Sequence, residues 1–200
     1  MRDRIVLDTS HLPLHGMGRA SPTWWATCAF MLIEGSGFAL AISVYFYLMS
    51  LGTPWPIDAR VPDLGPGTWL TAVLLVSVIP NILIARWAKQ ERLWPVRIGL
   101  ITMTLFGIAP LVLRIFEFPA LNVHWDANAY GSITWTLLGL HTTHILTDVI
   151  DTVVLAVLMF TRHADNRRRF GDVQDNALYW NFVVVTWLPI YGCIYWGPRL

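Results

Sequence analysis

The chain has 200 residues, of which 55% are hydrophobic and 14% are charged, and its formal net charge is +1. Soluble domains carry about 25% charged residues, so this composition excludes a disordered chain or a disulfide scaffold and favours a membrane protein. The nearly neutral charge provides no basic surface for a phosphate backbone, so we expect no nucleic-acid partner.

Five apolar stretches follow an amino-terminal segment that holds charged side chains and no apolar core, which argues against a cleavable signal. The stretches cover residues 24–51, 69–87, 96–116, 133–160 and 178–196. Each is long enough to cross about 30 Å of hydrocarbon as a helix, whereas open strands cannot satisfy their backbone in lipid. The sequence therefore predicts an all-α integral membrane bundle of five transmembrane helices, forming one domain over residues 1–200.

The basic residues are distributed unevenly between the two sides of the predicted bundle. Of the 14 Lys and Arg residues, 11 fall on the side of the N-terminus, and only Arg60, Arg114 and Arg199 fall on the other. Because basic connections remain in the cytoplasm, this count predicts the N-terminus inside and the C-terminus outside.

The first span contains one acidic side chain, Glu34. An ionisable group in the bilayer costs a few kcal/mol unless it is neutral, paired or hydrated. Gly37 and Ala41 share its helical face, which indicates that this face packs against protein. Two interpretations are open: a proton relay or a carboxyl group at a lipid or partner site, or a neutral acid hydrogen-bonded between helices.

The third span ends with Arg114 and Glu117, which are three residues apart and positioned to pair with each other at the outer end of the helix. Such a pair near the interface is typical of a structural contact. His124 and Asp126 follow in the next connection, where we expect them to be solvated.

The fourth span carries a polar stripe formed by His141, His144, Asp148 and Asp151. These positions fall within roughly an 80° arc of a helix, over a length of about 15 Å. The stripe must meet polar groups in the bundle, a partner subunit or water. Three interpretations are open: a metal site, a proton-conducting relay, or a satisfied network that fixes helix packing or subunit docking.

Several common catalytic signatures are absent from the sequence. It has no glycine-rich phosphate loop and no Gly-x-Ser-x-Gly elbow. No pair of histidines on two facing helices is evident as haem ligands. Cys28 and Cys193 lie in apolar runs and are predicted to be small buried hydrophobic residues. We therefore do not expect an autonomous redox protein.

Four segments in chain order share a pattern with one known family. FMLIEGSGFALAISVYFYL is similar to a family helix with a buried glutamate, here Glu34, and RIFEFPAL to a Gln-x-x-Glu-aromatic segment, with Glu117 at the acid. GLHTTHILTDVIDTVVL matches a Gly-x-His-x-x-His helix through His141 and His144, and ALYWNFVVVTWLPIYGCIYW matches a closing Tyr-Trp-His-Phe-x-Asp-x-x-Trp helix. Together they resemble subunit III of the haem–copper respiratory oxidases, in a short five-helix form.

The sequence also departs from the family pattern. Asn181 and Val184 stand at the family's His and Asp in the last helix, and Arg114 stands at the Gln before the helix 3 acid. Asp148 and Asp151 are additional to the pattern. We expect Asp148 to replace the acid lost at Val184. The longer family members have two further N-terminal helices, so we expect partner helices or lipid to cover the corresponding face.

The resemblance implies a non-catalytic accessory subunit III of a respiratory terminal oxidase that reduces oxygen, using either cytochrome c or quinol as donor. The chain would bind no cofactor; haem and copper are expected on oxidase subunit I, with subunit II as a further partner and bound phospholipid. It would support proton uptake in the bacterial cytoplasmic (inner) membrane. The buried proton- or lipid-associated residues would be Glu34, Glu117, His141, His144, Asp148 and Asp151. Two alternatives remain: an accessory subunit of a nitric oxide reductase, and a membrane metal enzyme that uses the helix 4 stripe.

Overall fold

A computed structural model describes residues 21–51, 54–161 and 168–199 of the chain. Five long helices make up most of these residues: α1 (Pro22–Leu51), α2 (Leu64–Lys89), α3 (Leu93–Glu117), α4 (Ala129–Phe160) and α5 (Arg168–Tyr191). Each is long and apolar enough to cross a membrane. The described residues contain no strand, so the all-α, five-span prediction is confirmed. The orientation stays a prediction, and the basic residues at 1–20 and 162–167 used to predict it lie outside the described residues.

Two helices begin well before the apolar stretches that predicted them. α2 begins at Leu64, because Pro66 falls in its first turn, where a proline is tolerated. α5 begins at Arg168, ten residues before its apolar stretch, because three polar turns continue the same helix. Hydropathy identifies the part of a helix that enters lipid, and this part is shorter than the helix itself.

Hydrogen bonds in the connections hold the ends of neighbouring helices in place. α2 and α3 are joined by a short turn in which Glu91 adopts φ 53° and donates its backbone N–H to the carbonyl of Ala88 at 3.0 Å. α4 begins at a capping residue, Asn128, whose side chain accepts from the N–H of Gly131 at 2.8 Å and donates to the carbonyl of Ile57 at 2.7 Å. The cap therefore anchors the connection before α2 to the start of α4.

The helices differ greatly in how much of their surface the bundle covers. α5 packs against α1, α2 and α4, and α3 packs between α2 and α4. α1 contacts mainly α4 and α5, and only Phe38 and Tyr45 of its side chains are buried. We call the end of the bundle where α1 begins, α4 ends and α5 begins the N-side, and the opposite end the C-side.

Polar side chains join α2 to the centre of the bundle. The indole N–H of Trp180 donates to Ser77 at 2.8 Å, and that of Trp187 donates to Thr71 at 2.7 Å. Asn81 donates to the carbonyl of Ala177 at 2.8 Å. Hydrogen bonds between helices take the place of the hydrophobic driving force that lipid does not provide.

The chain ends on the C-side in a π-helical turn, Gly192–Trp196, followed by a 3-10 turn, Gly197–Arg199. Tyr195 is fully buried there and lies so close to Gly67 that a Cβ at that glycine would be 2.3 Å from its ring. Of the two cysteines, both free thiols, Cys193 is buried in this turn as predicted, whereas Cys28 is only half-buried.

Candidate functional site

A buried ion pair on α3 belongs to a polar cluster that joins α3 to α4 on the C-side. The guanidinium of Arg114 donates to Glu117 at 2.5 Å through Nη1 and contacts Nδ1 of His141 at 2.6 Å through Nη2. The hydroxyl of Tyr195 donates to the other oxygen of Glu117 at 2.6 Å. Arg114 is 2% exposed, and Glu117 and His141 are fully buried. The predicted pairing of Arg114 with Glu117 is therefore present, but inside the protein instead of at a solvated interface.

The hydrogen bonds fix the protonation state of His141. Its Nε2 lies 2.9 Å from the carbonyl oxygen of Val183, which can only accept, so Nε2 carries the hydrogen. Its Nδ1 faces the Arg114 guanidinium, which can only donate, so Nδ1 carries a lone pair. His141 is consequently neutral, and one cation and one anion balance within the cluster.

The aromatic ring of Trp187 covers one side of this cluster. The Arg114 guanidinium lies over the ring of Trp187, 4.4 Å from its centre, and the Trp187 and His141 ring centres are 5.0 Å apart. Nε of Arg114 has no hydrogen-bond partner among the described residues, and the guanidinium that contains it lies over the π-face of the indole. A rigid and electrically balanced cluster of this kind is suited to holding helices together.

A second cluster joins α1 to α4 and α5 near the middle of the bundle. Nε2 of His144 lies 2.9 Å from Oε1 of Glu34, and Tyr179 donates its hydroxyl to Oε2 of Glu34 at 2.8 Å. The side chains of Glu34 and His144 are each 13% exposed. Phe38, one turn after Glu34, packs its ring 4.8 Å from that of His144. The packed face of α1 runs through Phe38, and a Cβ added at Gly37 would meet nothing within 4 Å among the described residues, so Gly37 lies outside the part of α1 that packs within the described chain.

The second cluster holds one shared proton. Nδ1 of His144 contacts the carbonyl oxygen of Leu140 at 2.5 Å and must donate to it. A hydrogen bond between Nε2 and Glu34 then requires one proton between them, on the imidazole with a carboxylate or on the carboxyl group with a neutral imidazole. Moving that proton interconverts an ion pair and a neutral pair over 2.9 Å. The Glu34–His144 pair can therefore transfer a proton between its members, whereas His141 cannot.

A third group of polar residues lines a cleft of about 690 Å³ between α1, α4 and α5 on the N-side. Asn176 donates to Asp148 at 3.4 Å and to Asp151 at 3.2 Å, and Thr152 donates to the amide oxygen of Asn176 at 3.2 Å. Asp148 is buried and Asp151 is exposed. We call this the acidic cleft; its acidic lining residues are Asp148, Asp151, Asp172 and Asp175.

The helix 4 stripe is thus divided among three sets of partners instead of forming one network. A metal site would need at least three ligands together, and no group of three His, Cys, Asp or Glu side chains within 21–51, 54–161 and 168–199 is arranged to hold an ion. Asp148 contacts Asn176, which precedes Val184 by eight residues, or about 12 Å along the helix. The expectation that Asp148 takes the place of the acid lost at Val184 is therefore wrong.

Sequence reasoning did not identify several residues that complete these clusters. Tyr179 lies in the closing-helix motif, so the resemblance pointed to it without indicating its contact with Glu34. Tyr195 and Asn176 carry no signal of their own, since their partners are 78 and 28 residues away in the chain. His124 and Asp126 are exposed as expected, and the imidazole lowers the pKa of the Asp126 carboxyl by hydrogen bonding to it at 2.5 Å.

Comparisons with known proteins point to one family. The family model for cytochrome c oxidase subunit III matches residues 41–198, which include all the candidate residues named above except Glu34. The chain is 32% identical over 155 residues to cytochrome c oxidase subunit 3 of Pisaster ochraceus, covering 74% of this chain and 57% of that protein. It is 27% identical over 164 residues to that of Pylaiella littoralis, covering 80% and 58%. The chain thus spans somewhat more than half the length of these relatives, and it belongs to the cytochrome c oxidase subunit III family.

Proposed function

We propose that this chain is a non-catalytic accessory subunit III of a respiratory terminal oxidase. Its partners would be subunit I, which would carry the haem and copper, and subunit II, in the bacterial cytoplasmic membrane. Membership of the subunit III family over residues 41–198 is the observation that carries this proposal. The five apolar helices support a multi-pass membrane location.

The exposed surface of α1 supports a role in assembly. Only two of its side chains are buried by the described bundle, and large apolar side chains such as Leu32 and Ile33 are among its most exposed, at 76% and 69%. Lipid or a partner subunit must cover this surface in the membrane. The proposed partners and bound phospholipid provide such a covering.

Support of proton uptake would reside in the Glu34–His144 pair. The pair holds one proton at 2.9 Å separation, and its side chains are largely but not wholly enclosed. The Arg114–Glu117–His141 cluster would hold α3, α4 and the last turn in place. The six candidate residues would therefore divide into a proton-exchanging pair, a rigid cluster and the two aspartates of the acidic cleft.

Gentle extraction of the complex from its native membrane tests the accessory role. A visible spectrum and a metal count are measured on whatever co-purifies with this chain. We expect haem and copper on a large co-purifying subunit and none on this chain. Haem with non-haem iron and no copper would indicate a nitric oxide reductase, and a metal-bearing chain without a haem partner would refute the proposal.

A Glu34→Gln substitution tests the proton role. Glutamine keeps the shape and a hydrogen bond to Tyr179 but cannot take up or release the shared proton. We expect slower proton uptake during turnover at unchanged haem content. The matched control is Asp58→Asn, an exposed residue in the connection before α2. Equal proton-uptake rates in both variants would contradict the role.

A further inference from the structure

Two buried hydroxyl groups near the start of α4 have no hydrogen-bond partner. The side chains of Tyr130 and Thr134 are fully buried, and neither hydroxyl oxygen has a partner within the described residues. The two residues lie one turn apart on the same face of the helix, and their hydroxyl groups are neighbours. Buried hydroxyls are normally hydrogen-bonded, because an unsatisfied one keeps the full cost of losing its water. These two groups therefore require a partner that the described side chains do not provide.

Thr134 differs from other threonines of α4 in how its hydroxyl is used. A helical threonine often donates to a backbone carbonyl of the preceding turn. Thr136, Thr142 and Thr143 do so, at distances of 2.7, 2.7 and 3.0 Å. Thr134 makes no such bond, although the carbonyl of Tyr130 stands at the corresponding position. The Thr134 hydroxyl therefore remains available to another partner.

A third buried hydroxyl, that of Tyr45, belongs to the same aromatic group. The ring of Trp55 packs against the rings of both Tyr45 and Tyr130, with ring centres 5.3 and 5.0 Å away. The Tyr45 oxygen accepts from the indole N–H of Trp55 at 3.1 Å, but its own hydrogen has no acceptor in the described ranges. We call Tyr45, Tyr130 and Thr134 the hydroxyl site. Each of its O–H groups can both donate and accept, so most of this capacity is unused within the described chain.

The chemistry of the hydroxyl site limits what can occupy it. Its three residues are each 0% exposed, so an occupant must be small. A metal ion is disfavoured, because the three side chains carry no charge and the charged side chain that acts on Tyr130 is the cation Arg199. A water molecule both donates and accepts, and buried waters make about three hydrogen bonds to polar groups of this kind.

We infer that the hydroxyl site binds an ordered water molecule that joins Tyr130 to Thr134, with the Tyr45 hydroxyl as its third partner. The water links α1 to α4 on the C-side. Gly197 brings the last turn of the chain to the same place, since a Cβ there would be 2.7 Å from the Tyr45 hydroxyl oxygen. This inference goes beyond the proposed function and does not depend on it, because it concerns packing within this chain.

Thermal unfolding of the purified complex tests the bound water. Tyr130→Phe and Thr134→Val keep the side-chain shape and remove one hydroxyl each. With a bound water each variant loses a hydrogen bond, so its Tm should fall by about 2–4 °C. The double variant should lose less than the sum, because neither hydroxyl is left unpaired. Without an occupant each substitution would remove an unsatisfied group, and the resulting unchanged or higher Tm would overturn the inference.

Two matched control variants remove hydroxyls outside the site. Thr136→Val acts on an exposed residue of α4 whose hydroxyl already donates to the carbonyl of Ser132. Tyr47→Phe acts on a residue of α1 that is 61% exposed. Both should leave the Tm nearly unchanged. A fall in the controls as large as in Tyr130→Phe and Thr134→Val would overturn the inference, since the loss of any hydroxyl would then account for the effect.

A density map of the unsubstituted complex, at a resolution that shows internal waters, tests the site directly and decides the matter if a variant does not assemble. We expect one peak within about 3.2 Å of the hydroxyl oxygens of Tyr130 and Thr134. A direct hydrogen bond between the two hydroxyls, or no peak where other internal waters are seen, would overturn the inference.

An exchange of anions distinguishes water from a bound chloride beside Arg199. Replacing chloride with gluconate at equal ionic strength should leave the Tm of the complex unchanged, because a bound water does not depend on the anion. A fall in the Tm that Tyr130→Phe abolishes would identify a chloride at the hydroxyl site and overturn the inference.

Discussion

Replacing Glu117 with glutamine removes the negative charge beside the Arg114 guanidinium without changing the shape of the side chain. The guanidinium then remains buried without a counter-ion, because it cannot lose its proton in a protein. At a charge separation of about 4 Å and an effective dielectric constant of about 20, the lost attraction is about 4 kcal/mol. Measured costs of breaking buried pairs are about 3–5 kcal/mol, in agreement with this value.

The reverse substitution should be milder, although it breaks the same contact. In Arg114→Gln the remaining group is a carboxyl, which can take up a proton and become neutral. Glutamine can still donate one hydrogen bond to Glu117 or His141, so we expect a cost of about 1–3 kcal/mol. The double variant should be less destabilised than the sum of the two single variants by at least about 1 kcal/mol, because no charge is left unpaired.

Thermal unfolding of the purified complex, followed by tryptophan fluorescence, measures this asymmetry. A cost of 1 kcal/mol lowers the Tm of a chain of this size by about 2–4 °C, so Glu117→Gln should lower it by about 8–16 °C. Arg114→Gln should lower it by less. An equal or larger effect of Arg114→Gln, or additive effects in the double variant, would refute the interpretation of the cluster as a balanced ion pair.

Two smaller substitutions test the backbone geometry and the proton pair. Gly131→Ala places a Cβ 2.2 Å from the backbone oxygen of His124, so we expect a loss of about 1–3 kcal/mol in thermal unfolding, whereas Gly139→Ala, with nothing within 4 Å in the described chain, should be neutral. Equal stability of the two alanine variants would contradict the close approach. Tyr179→Phe frees Oε2 of Glu34, so a carboxyl-directed reagent should modify Glu34 several-fold faster, and an unchanged rate would argue against this hydrogen bond.

Local chemistry in the sequence predicted the contacts between residues close together in the chain. Arg114 and Glu117 are three residues apart on one helix, and their pairing follows from helical geometry alone. The five helices could be predicted from hydropathy because, in lipid, only helices and closed barrels satisfy the hydrogen bonds of the backbone.

Contacts between helices were not predictable in the same way. His141 and Arg114 are 27 residues apart, and which histidine of the stripe meets the guanidinium depends on how α3 and α4 rotate against each other. The same holds for Asp148, whose partner Asn176 lies eight residues before Val184 and before the apolar stretch that predicted α5. The ten additional residues at the start of α5 place Asn176 beside it.

The turn at Gly192–Trp196 has a consequence for the order in which contacts form during synthesis. Translation and insertion begin at the N-terminus, so α5 and the turn that follows it enter the membrane after the other four helices. Until then Glu117 lacks the Tyr195 hydroxyl and His141 lacks the Val183 carbonyl. Before α5 is in place, Glu117 and His141 therefore have unfilled hydrogen-bond positions, which α5 and the Gly192–Trp196 turn then satisfy.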